Sequence, residues 1–308
     1  MKVIITLLSI IHFTSMASSA ISYGFSGGRL GDNLLSYAHA VWIAHKRGIP
    51  LLYRPFKHSE KLELSRIHAS YDKVKDEQFD KFIHLSEQEG QKYDIFDLKI
   101  DEKILYMVPY FPHSKLDTLT YDWSYFDLDW NDVGFVTELR KGIALINKEP
   151  SLIDLPEGRI AVAIHIRTGE GHDWTLQFRS NTDDQIFPLK FPPVSFFIEQ
   201  VKRMSELLGD QPLYVHIFTD SPRPEYFTEL LQKEVNKPNI LYGYRQNADL
   251  LDDFFAITQF KYLIRGESNF VFMASVLAQC KICIVPTNYA WIDSEHMIIT
   301  EIDVLKTD

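Results

Sequence analysis

Residues 160–170 read Ile160-Ala-Val-Ala-Ile-His165-Ile-Arg167-Thr-Gly169-Glu170, and this stretch decides the fold. Its first seven residues are mostly branched and apolar without polar alternation, which predicts a strand buried on both faces of a parallel sheet. Ligands of such sheets bind beyond the carboxyl ends of the strands. An arginine at that end suits a phosphate or carboxylate, so Arg167 is a candidate site residue. A structural ion pair for Arg167 and a core position for His165 are the alternatives.

Strand, loop and helix patterns alternate on both sides of this stretch. The apolar runs predict strands at residues 21–25, 51–53, 213–218, 240–242, 262–264 and 280–285, and a strand and loop at 106–112. They predict helices at 34–45, 135–147, 194–208, 224–234 and 249–258, and a last helix that follows the loop 265–270 and runs through 277. Such alternation predicts parallel sheets with helices on both faces. A Pro/Gly break at residues 150–158 divides the chain into two predicted domains, 21–155 and 156–308.

Composition sets the broad class of the protein. The 308 residues suit two domains that each bury a core. A hydrophobic fraction of 45% and a charged fraction of 24% are those of a folded protein. The net charge of −10 argues against a general nucleic-acid binder, because no basic excess is present to neutralise phosphates along a duplex. One nucleotide in a locally basic pocket is compatible with that charge.

The N-terminal residues 1–20 have the features of a signal peptide. One lysine precedes a short apolar stretch, and small residues follow at 14–20. The expected location is then the lumen of the secretory pathway or the exterior, and otherwise the cytoplasm. The alternative is a first strand or an amphipathic start of the fold. The apolar part is short for a bilayer, and we predict no stable membrane span.

The only two cysteines, Cys280 and Cys283, form a Cys-x-x-Cys sequence. A redox pair of this kind requires a helix start, where amide dipoles lower a thiol pKa. Here the pair enters a run of strand character, which points the two side chains to opposite faces. We therefore expect buried free thiols.

A glycine loop, residues 26–33, lies between a predicted strand and a predicted helix. It reads Ser26-Gly-Gly-Arg-Leu-Gly-Asp-Asn33, and glycines in this position let backbone amides approach an anion at a helix N-terminus. The spacing matches neither the dinucleotide fingerprint nor a P-loop. Asp32 has a simpler alternative role as the helix N-cap.

Four motifs together resemble the fucosyltransferases of the α1,2, α1,6 and protein-O types. The run from His165 to Glu170 resembles their His-x-Arg-x-Gly-Asp motif, with glutamate in place of aspartate. The other parts are Gly27-Gly-Arg-Leu-Gly-Asp-Asn33, His216-Ile-Phe-Thr-Asp220 and Arg265-Gly-Glu-Ser-Asn-Phe270. All four occur in family order and are spread over most of the chain.

The resemblance implies two Rossmann-like domains that face a cleft, the GT-B type of glycosyltransferase. It also implies a glycosyltransferase that moves fucose from GDP-fucose to a glycan or protein hydroxyl by an inverting displacement, without a metal or other cofactor. Arg167 would stabilise the departing diphosphate, and Glu170 would stand at the catalytic aspartate position, with Asp173 as an alternative base. The residues implied to bind the donor are Gly28, Arg29, Gly31, Asp32, Asn33, His165, Asp220, Ser268, Asn269 and Phe270.

Several of these assignments have alternatives. Asp220 would accept hydrogen bonds from guanine or ribose and Ser268 would hold phosphate, but each suits a helix N-cap as well. The single Asp-x-Asp, Asp127-Leu-Asp129, lies outside the four motifs, which favours the metal-free interpretation. The aromatic and acidic residues 122–131 are an acceptor-site candidate or a packed surface loop. The competing functions are transfer from another nucleotide sugar and a sugar-binding relative without catalysis.

Overall fold

The computed structural model describes residues 19–24, 29–85, 94–109, 128–168, 188–246, 248–292 and 297–306. Two α/β halves are joined by residues 146–159, which form neither helix nor strand. This connection includes the predicted Pro/Gly break. Several sequence predictions fall outside the described residues: the signal peptide except for its last two residues, Gly28, Glu170, Asp173, and residues 122–127 of the acceptor candidate.

The first half is built from short parallel strands. Its elements are β1 (Ala20–Tyr23), α1 (Leu30–Arg47), β2 (Leu52–Tyr53), α2 (Leu64–Ile67), β3 (Ala69–Ser70), α3 (Tyr71–Gln78), β4 (Lys81–His84), β5 (Ile104–Val108) and α4 (Val133–Ile143). The strands β1, β5 and β4 pair in that order, and β2 pairs with β3. A parallel bridge between Ile21 and Leu51 links the two groups. Helix α1 ends where Gly48 adopts φ +64°, which glycine accepts without strain.

The second half contains the larger sheet. Its elements are β6 (Ile160–Ile166), α5 (Val194–Leu207), β7 (Leu213–Thr219), α6 (Pro224–Val235), β8 (Ile240–Tyr244), α7 (Leu250–Ile257), β9 (Tyr262–Arg265), α8 (Asn269–Ala278), β10 (Ile282–Trp291) and β11 (Met297–Lys306). The strand order is β11-β10-β9-β6-β7-β8. All pairings are parallel except that of β11 with β10. The predicted α/β class with parallel sheets is confirmed.

Strand β6 lies inside this sheet and is covered on both sides, as its apolar run predicted. Val162 and Ile164 contact one apolar cluster, together with α5 and α6. Ala163, which points the other way, belongs to a second cluster with α7 and α8. Side chains alternate across a strand, so one continuous apolar run serves both faces.

The second apolar cluster also contains the core of the first half. Trp42 of α1 and Phe135 of α4 belong to it, together with Phe254 of α7 and Met273 of α8. Helix α1 lies against α8 along this contact. The two halves therefore share one hydrophobic core on the side of the sheet that faces α1.

Three strands escaped the sequence prediction, each for a physical reason. Strand β3 has only two residues, and β4 is largely exposed and begins with a lysine. Strand β11 alternates apolar with polar residues at the edge of the sheet, after the last apolar run. A prediction based on continuous apolar runs does not find such short or edge strands.

The cysteine prediction is confirmed, since Cys280 and Cys283 are free and buried. Burial raises the pKa of Cys280 to about 12, and it raises the pKa of Cys283 as well. Both thiols are therefore protonated and unreactive near neutral pH. Within the described residues, the helices are all too short or too polar to cross a membrane.

Candidate functional site

The predicted site residues converge at the carboxyl ends of β7, β6 and β9. In register across these strands lie Phe218, His165 and Arg265. Arg167 follows β6 by one residue, Asp220 follows β7 by one residue, and the N-terminus of α8 follows β9. A parallel sheet brings the ends of its strands to one edge, and this is where such sheets bind ligands.

The first half contributes the N-terminus of α1 to the same place. The backbone of Gly31 touches that of Asn269 and Phe270: a Cβ built on Gly31 would lie 2.6 Å from the Asn269 carbonyl carbon and closer still to the Phe270 nitrogen. No side chain fits there. Gly31 thus has a packing reason to be glycine, independent of any ligand.

Asp32 ties the two helix starts together. One carboxylate oxygen accepts a hydrogen bond from the backbone N–H of Arg29 at 3.0 Å. The other accepts a hydrogen bond from the side-chain amide of Asn269 at 2.6 Å. Asn33 in turn donates its side-chain amide to the Arg29 carbonyl at 3.0 Å. The N-cap residue of α1 is Arg29 and not Asp32, which was the simpler alternative; Asp32 lies three residues further on, where its carboxylate accepts the N-cap amide, and it also bridges the two halves.

Three cations from separate segments surround this junction. Burial, together with the nearby charge of Arg167, lowers the pKa of Arg29 to about 10. Burial also lowers the pKa of Lys190, again with help from Arg167 and Arg29. Groups that depress each other's pKa in this way share one local field. The carboxylates of Asp32, Asp220 and Glu267 lie in the same field, so the junction brings cations and acids together.

Two helix N-termini add to that field. Helix α1 begins at Leu30 after Arg29, and helix α8 begins at Asn269 after Ser268. The unpaired N–H groups and dipoles at such ends favour anions. Because Gly31 contacts the start of α8, the two ends lie side by side. The arrangement can bind a group with several negative oxygens.

The Arg167 segment is held by Asp220. The backbone N–H of Thr168 donates to Asp220 Oδ1 at 2.6 Å, and the Thr168 hydroxyl donates to the same oxygen at 2.9 Å. Burial raises the pKa of Asp220, but these hydrogen bonds and the nearby His165 and Arg167 lower it more, so the net pKa is lowered. The Arg167 guanidinium lies 5.2 Å from the centroid of the Phe191 ring.

His165 is a buried, neutral histidine. Burial lowers its pKa to about 4. Its ring lies 5.8 Å from the ring of Phe270, at the start of α8. The buried Nδ1 atom has no hydrogen-bond partner among the described residues. His165 thus combines the core position and the site position that the sequence gave as alternatives.

Lys190 and Glu267 escaped the sequence analysis as site residues. Burial raises the pKa of Glu267 to about 7, although Arg265 and Lys190 act in the opposite direction. The Glu267 amide donates to the Leu189 carbonyl at 2.8 Å, which places the 188–190 segment against the start of α8. Lys190 lies in no motif, and only this long-range contact brings it to the site.

The sequence analysis also did not identify Arg245, which follows β8, and Asp253 near it. Arg245 donates hydrogen bonds to the Ser151 and Leu152 carbonyls at 3.0 and 3.1 Å. Burial raises the pKa of Asp253, on α7, to about 6, and Arg245 opposes that rise. Asp253 Oδ1 is buried without a hydrogen-bond partner among the described residues. It is a free acceptor at the carboxyl edge of the sheet.

The described part of the chain contains no group of three or more His, Cys, Asp or Glu side chains placed to hold a metal ion. Glu170 and Asp173, the two residues that the resemblance implied as the base, lie outside the described residues.

Comparison with known proteins was made at the level of sequence and of structure. No protein-family model matches the chain, and no curated protein matches it. An arginine-to-lysine mutant of FUT1 from Arabidopsis thaliana, in complex with GDP, matches with a TM-score of 0.50 at 13% identity, over 88% of this chain and 71% of that one.

Two further solved structures match less well. Fucosyltransferase NodZ from Bradyrhizobium has a TM-score of 0.47 at 15% identity, over 92% of this chain and 99% of that one. POFUT1 in complex with GDP-fucose has a TM-score of 0.46 at 10% identity, over 87% of this chain and 96% of that one. The likeness to FUT1 is one of fold: the chain shares the α/β fold of that structure, as the resemblance of its four motifs implied.

Proposed function

We propose that the chain is a glycosyltransferase that moves fucose from GDP-fucose to a hydroxyl of a glycan or protein, with inversion and without a metal. The observation behind this is the junction where Arg29, Arg167 and Lys190 meet two adjacent helix N-termini. A diphosphate is the part of a nucleotide sugar that matches such a site.

The proposed chemistry is a displacement at the anomeric carbon. The bond from that carbon to the diphosphate oxygen breaks as the acceptor oxygen attacks, and the acceptor proton passes to a base. Negative charge then develops on the departing GDP, where fixed cations stabilise it more strongly than water would. Arg167 is the proposed principal cation, because its planar fork matches two phosphate oxygens. Glu170 remains the proposed base.

Guanine is the proposed nucleobase. Its Watson–Crick edge offers N–H donors to a carboxylate, and its other edge offers acceptors to an arginine. Asp220 was the sequence candidate for this contact. Asp253 and Arg245 are a carboxylate and a guanidinium close together at the same edge of the sheet. Such a combination favours guanine over uracil, which lacks this arrangement of donors.

Thermal denaturation with nucleotides tests the proposal. We expect GDP to raise the melting temperature more than UDP or ADP, equally in EDTA and in manganese. A ligand at about a hundred times its Kd adds roughly 2.7 kcal/mol to the free energy of unfolding. A strict need for manganese contradicts the metal-free chemistry. A larger effect of UDP indicates another nucleotide sugar. GDP binding without any release of fucose from GDP-fucose indicates a relative without catalysis.

A further inference from the structure

The pairing between β6 and β7 stops immediately before Arg167. The last register pair is Ile166 with Thr219. The next residues, Arg167 and Asp220, lie beyond the ladder, where a strand end ordinarily loses its backbone restraint. A group used to stabilise a developing charge must nevertheless be fixed before the reaction, since its advantage over water is that it need not reorient.

The side chain of Asp220 continues the ladder. Its Oδ1 atom accepts the backbone N–H of Thr168 at 2.6 Å, in the place of the strand carbonyl that would come next. The Thr168 hydroxyl donates to the same oxygen at 2.9 Å. A carboxylate with two donors makes stronger hydrogen bonds than a neutral acceptor. The backbone of Arg167 is therefore held on both sides, by Ile166 in the ladder and by Thr168 on Asp220.

The ring of Phe191 restricts the position of the Arg167 guanidinium. The Arg167 guanidinium lies over it at 5.2 Å from the centroid. Phe191 follows the helical turn Pro188–Lys190, so the same segment that presents Lys190 also supports Arg167. Backbone and guanidinium are thus fixed by separate contacts.

We propose that Asp220 and Thr168 are positioning residues, which hold Arg167 in the orientation that stabilises the departing diphosphate; this inference rests on the proposed function. The role differs from recognition of the nucleobase by Asp220. Recognition depends on the charge and direction of the carboxylate toward the ligand. Positioning depends on an acceptor oxygen within reach of Thr168.

Four variants separate these roles. Asp220→Asn keeps an acceptor oxygen and removes the charge, whereas Asp220→Ala removes both. Thr168→Ser keeps the hydroxyl, and Thr168→Val removes it at similar volume while leaving the amide. Each full-length variant is measured for hydrogen exchange of the Thr168 amide by NMR, for stabilisation by GDP, and for kcat and KM with GDP-fucose.

We expect Asp220→Asn to keep the Thr168 amide protected and to retain more of kcat than Asp220→Ala does. Thr168→Ser should keep that amide protected and keep kcat within about threefold of wild type. Asp220→Ala should expose that amide and lower kcat by on the order of ten- to a hundredfold, with a smaller change in KM, because a small displacement of a catalytic group is costly. Thr168→Val should lower kcat by about tenfold. If Asp220→Ala does not fold, Thr168→Val still removes one of the two hydrogen bonds to Asp220, and kcat equal to that of Thr168→Ser would contradict the positioning role.

Two results would overturn the inference. One is an Asp220→Asn variant that loses GDP stabilisation while its Thr168 amide stays protected, since the charge would then act on the ligand directly. The other is a protected Thr168 amide in Asp220→Ala. Failure of the proposed function is a separate result: wild-type protein without GDP stabilisation rejects it, and hydrogen exchange still decides whether Asp220 restrains the segment after Arg167.

Discussion

The side-chain amide of Asn269 donates a 2.6 Å hydrogen bond to the carboxylate of Asp32, across 237 positions of sequence. Asp32 belongs to the first half and Asn269 to the second. The bond lies where the starts of α1 and α8 touch, next to the cationic junction. The candidate anion site is therefore composed of both halves and depends on their contact.

Replacement of Asn269 tests that dependence. Asn269→Asp would place two carboxylates at hydrogen-bond distance and should lower the free energy of unfolding by about 1–3 kcal/mol above pH 6, with recovery near pH 3. Asn269→Ala should lower the free energy of unfolding by less, because Asp32 still accepts the hydrogen bond from the Arg29 backbone amide. Denaturant unfolding at both pH values measures this. An Asn269→Ala protein as stable as wild type at pH 7 would show that the bridge does not contribute to stability.

Gly31→Ala should separate the helix starts. Its methyl group would overlap the backbone of Asn269 and Phe270, which cannot move aside as a flexible side chain can. We expect a loss of about 1–3 kcal/mol in stability together with weaker GDP binding. Gly209→Ala is the matched control: Gly209 has φ +66° and open space around it, so its substitution should reduce stability without changing the Kd for GDP.

Arg167→Lys should lose most activity and Arg167→Ala nearly all. An ammonium group cannot reproduce the planar fork, and loss of a preorganised donor costs on the order of 3–4 kcal/mol in the transition state. Release of GDP from GDP-fucose and the melting temperature are measured on the same proteins. Arg203→Ala, at an exposed position of α5, is the control. A folded Arg167→Ala protein with near-normal transfer would contradict the mechanism.

Lys190→Gln should weaken GDP binding by about 1–2 kcal/mol and reduce its dependence on salt, because one cation near the phosphates is removed. Lys190→Arg should restore much of the affinity. Lys233→Gln, which alters an exposed lysine paired with Glu234, should leave the Kd unchanged. Calorimetric titration at two salt concentrations makes the comparison. An unchanged Kd for GDP in Lys190→Gln would show that this lysine lies outside the donor site.

Glu267 predicts a pH-dependent stability. Burial raises its pKa from 4.5 to about 7. Because the folded-state pKa lies above the unfolded value, the protonated carboxyl favours folding fully below about pH 4.5, and this contribution is lost as the pH rises through about 7. Glu267→Gln should therefore gain stability relative to wild type between pH 5 and pH 8, by on the order of 1–3 kcal/mol.

Melting temperatures across that range test the Glu267 prediction. Glu199→Gln, at an exposed position of α5, should show no such trend. A constant difference between wild type and Glu267→Gln at all pH values would mean that the Glu267 carboxyl does not titrate in this window.

The sequence was most informative where structure depends on local pattern. The run Ile160–Ile166 predicted a buried parallel strand, and residues at the strand ends, such as Arg167 and Asp220, converge as that topology requires. Lys190 could not be predicted, because a loop with no motif reaches the site only through the contact of Leu189 with Glu267. The Asp32 bridge was equally hidden, since nothing local to either residue indicates its partner.

The shared hydrophobic core gives the protein an internal optical probe. Trp130 precedes α4 in the first half, and its ring lies 5.3 Å from that of Phe272 on α8 in the second half, at 88°. It also lies 5.6 Å from Phe135. Separation of the halves would hydrate this indole and move its fluorescence to longer wavelength. In a variant whose other four tryptophans are replaced, emission from Trp130 would report the docking of the halves in solution without any added label, both during donor binding and during unfolding.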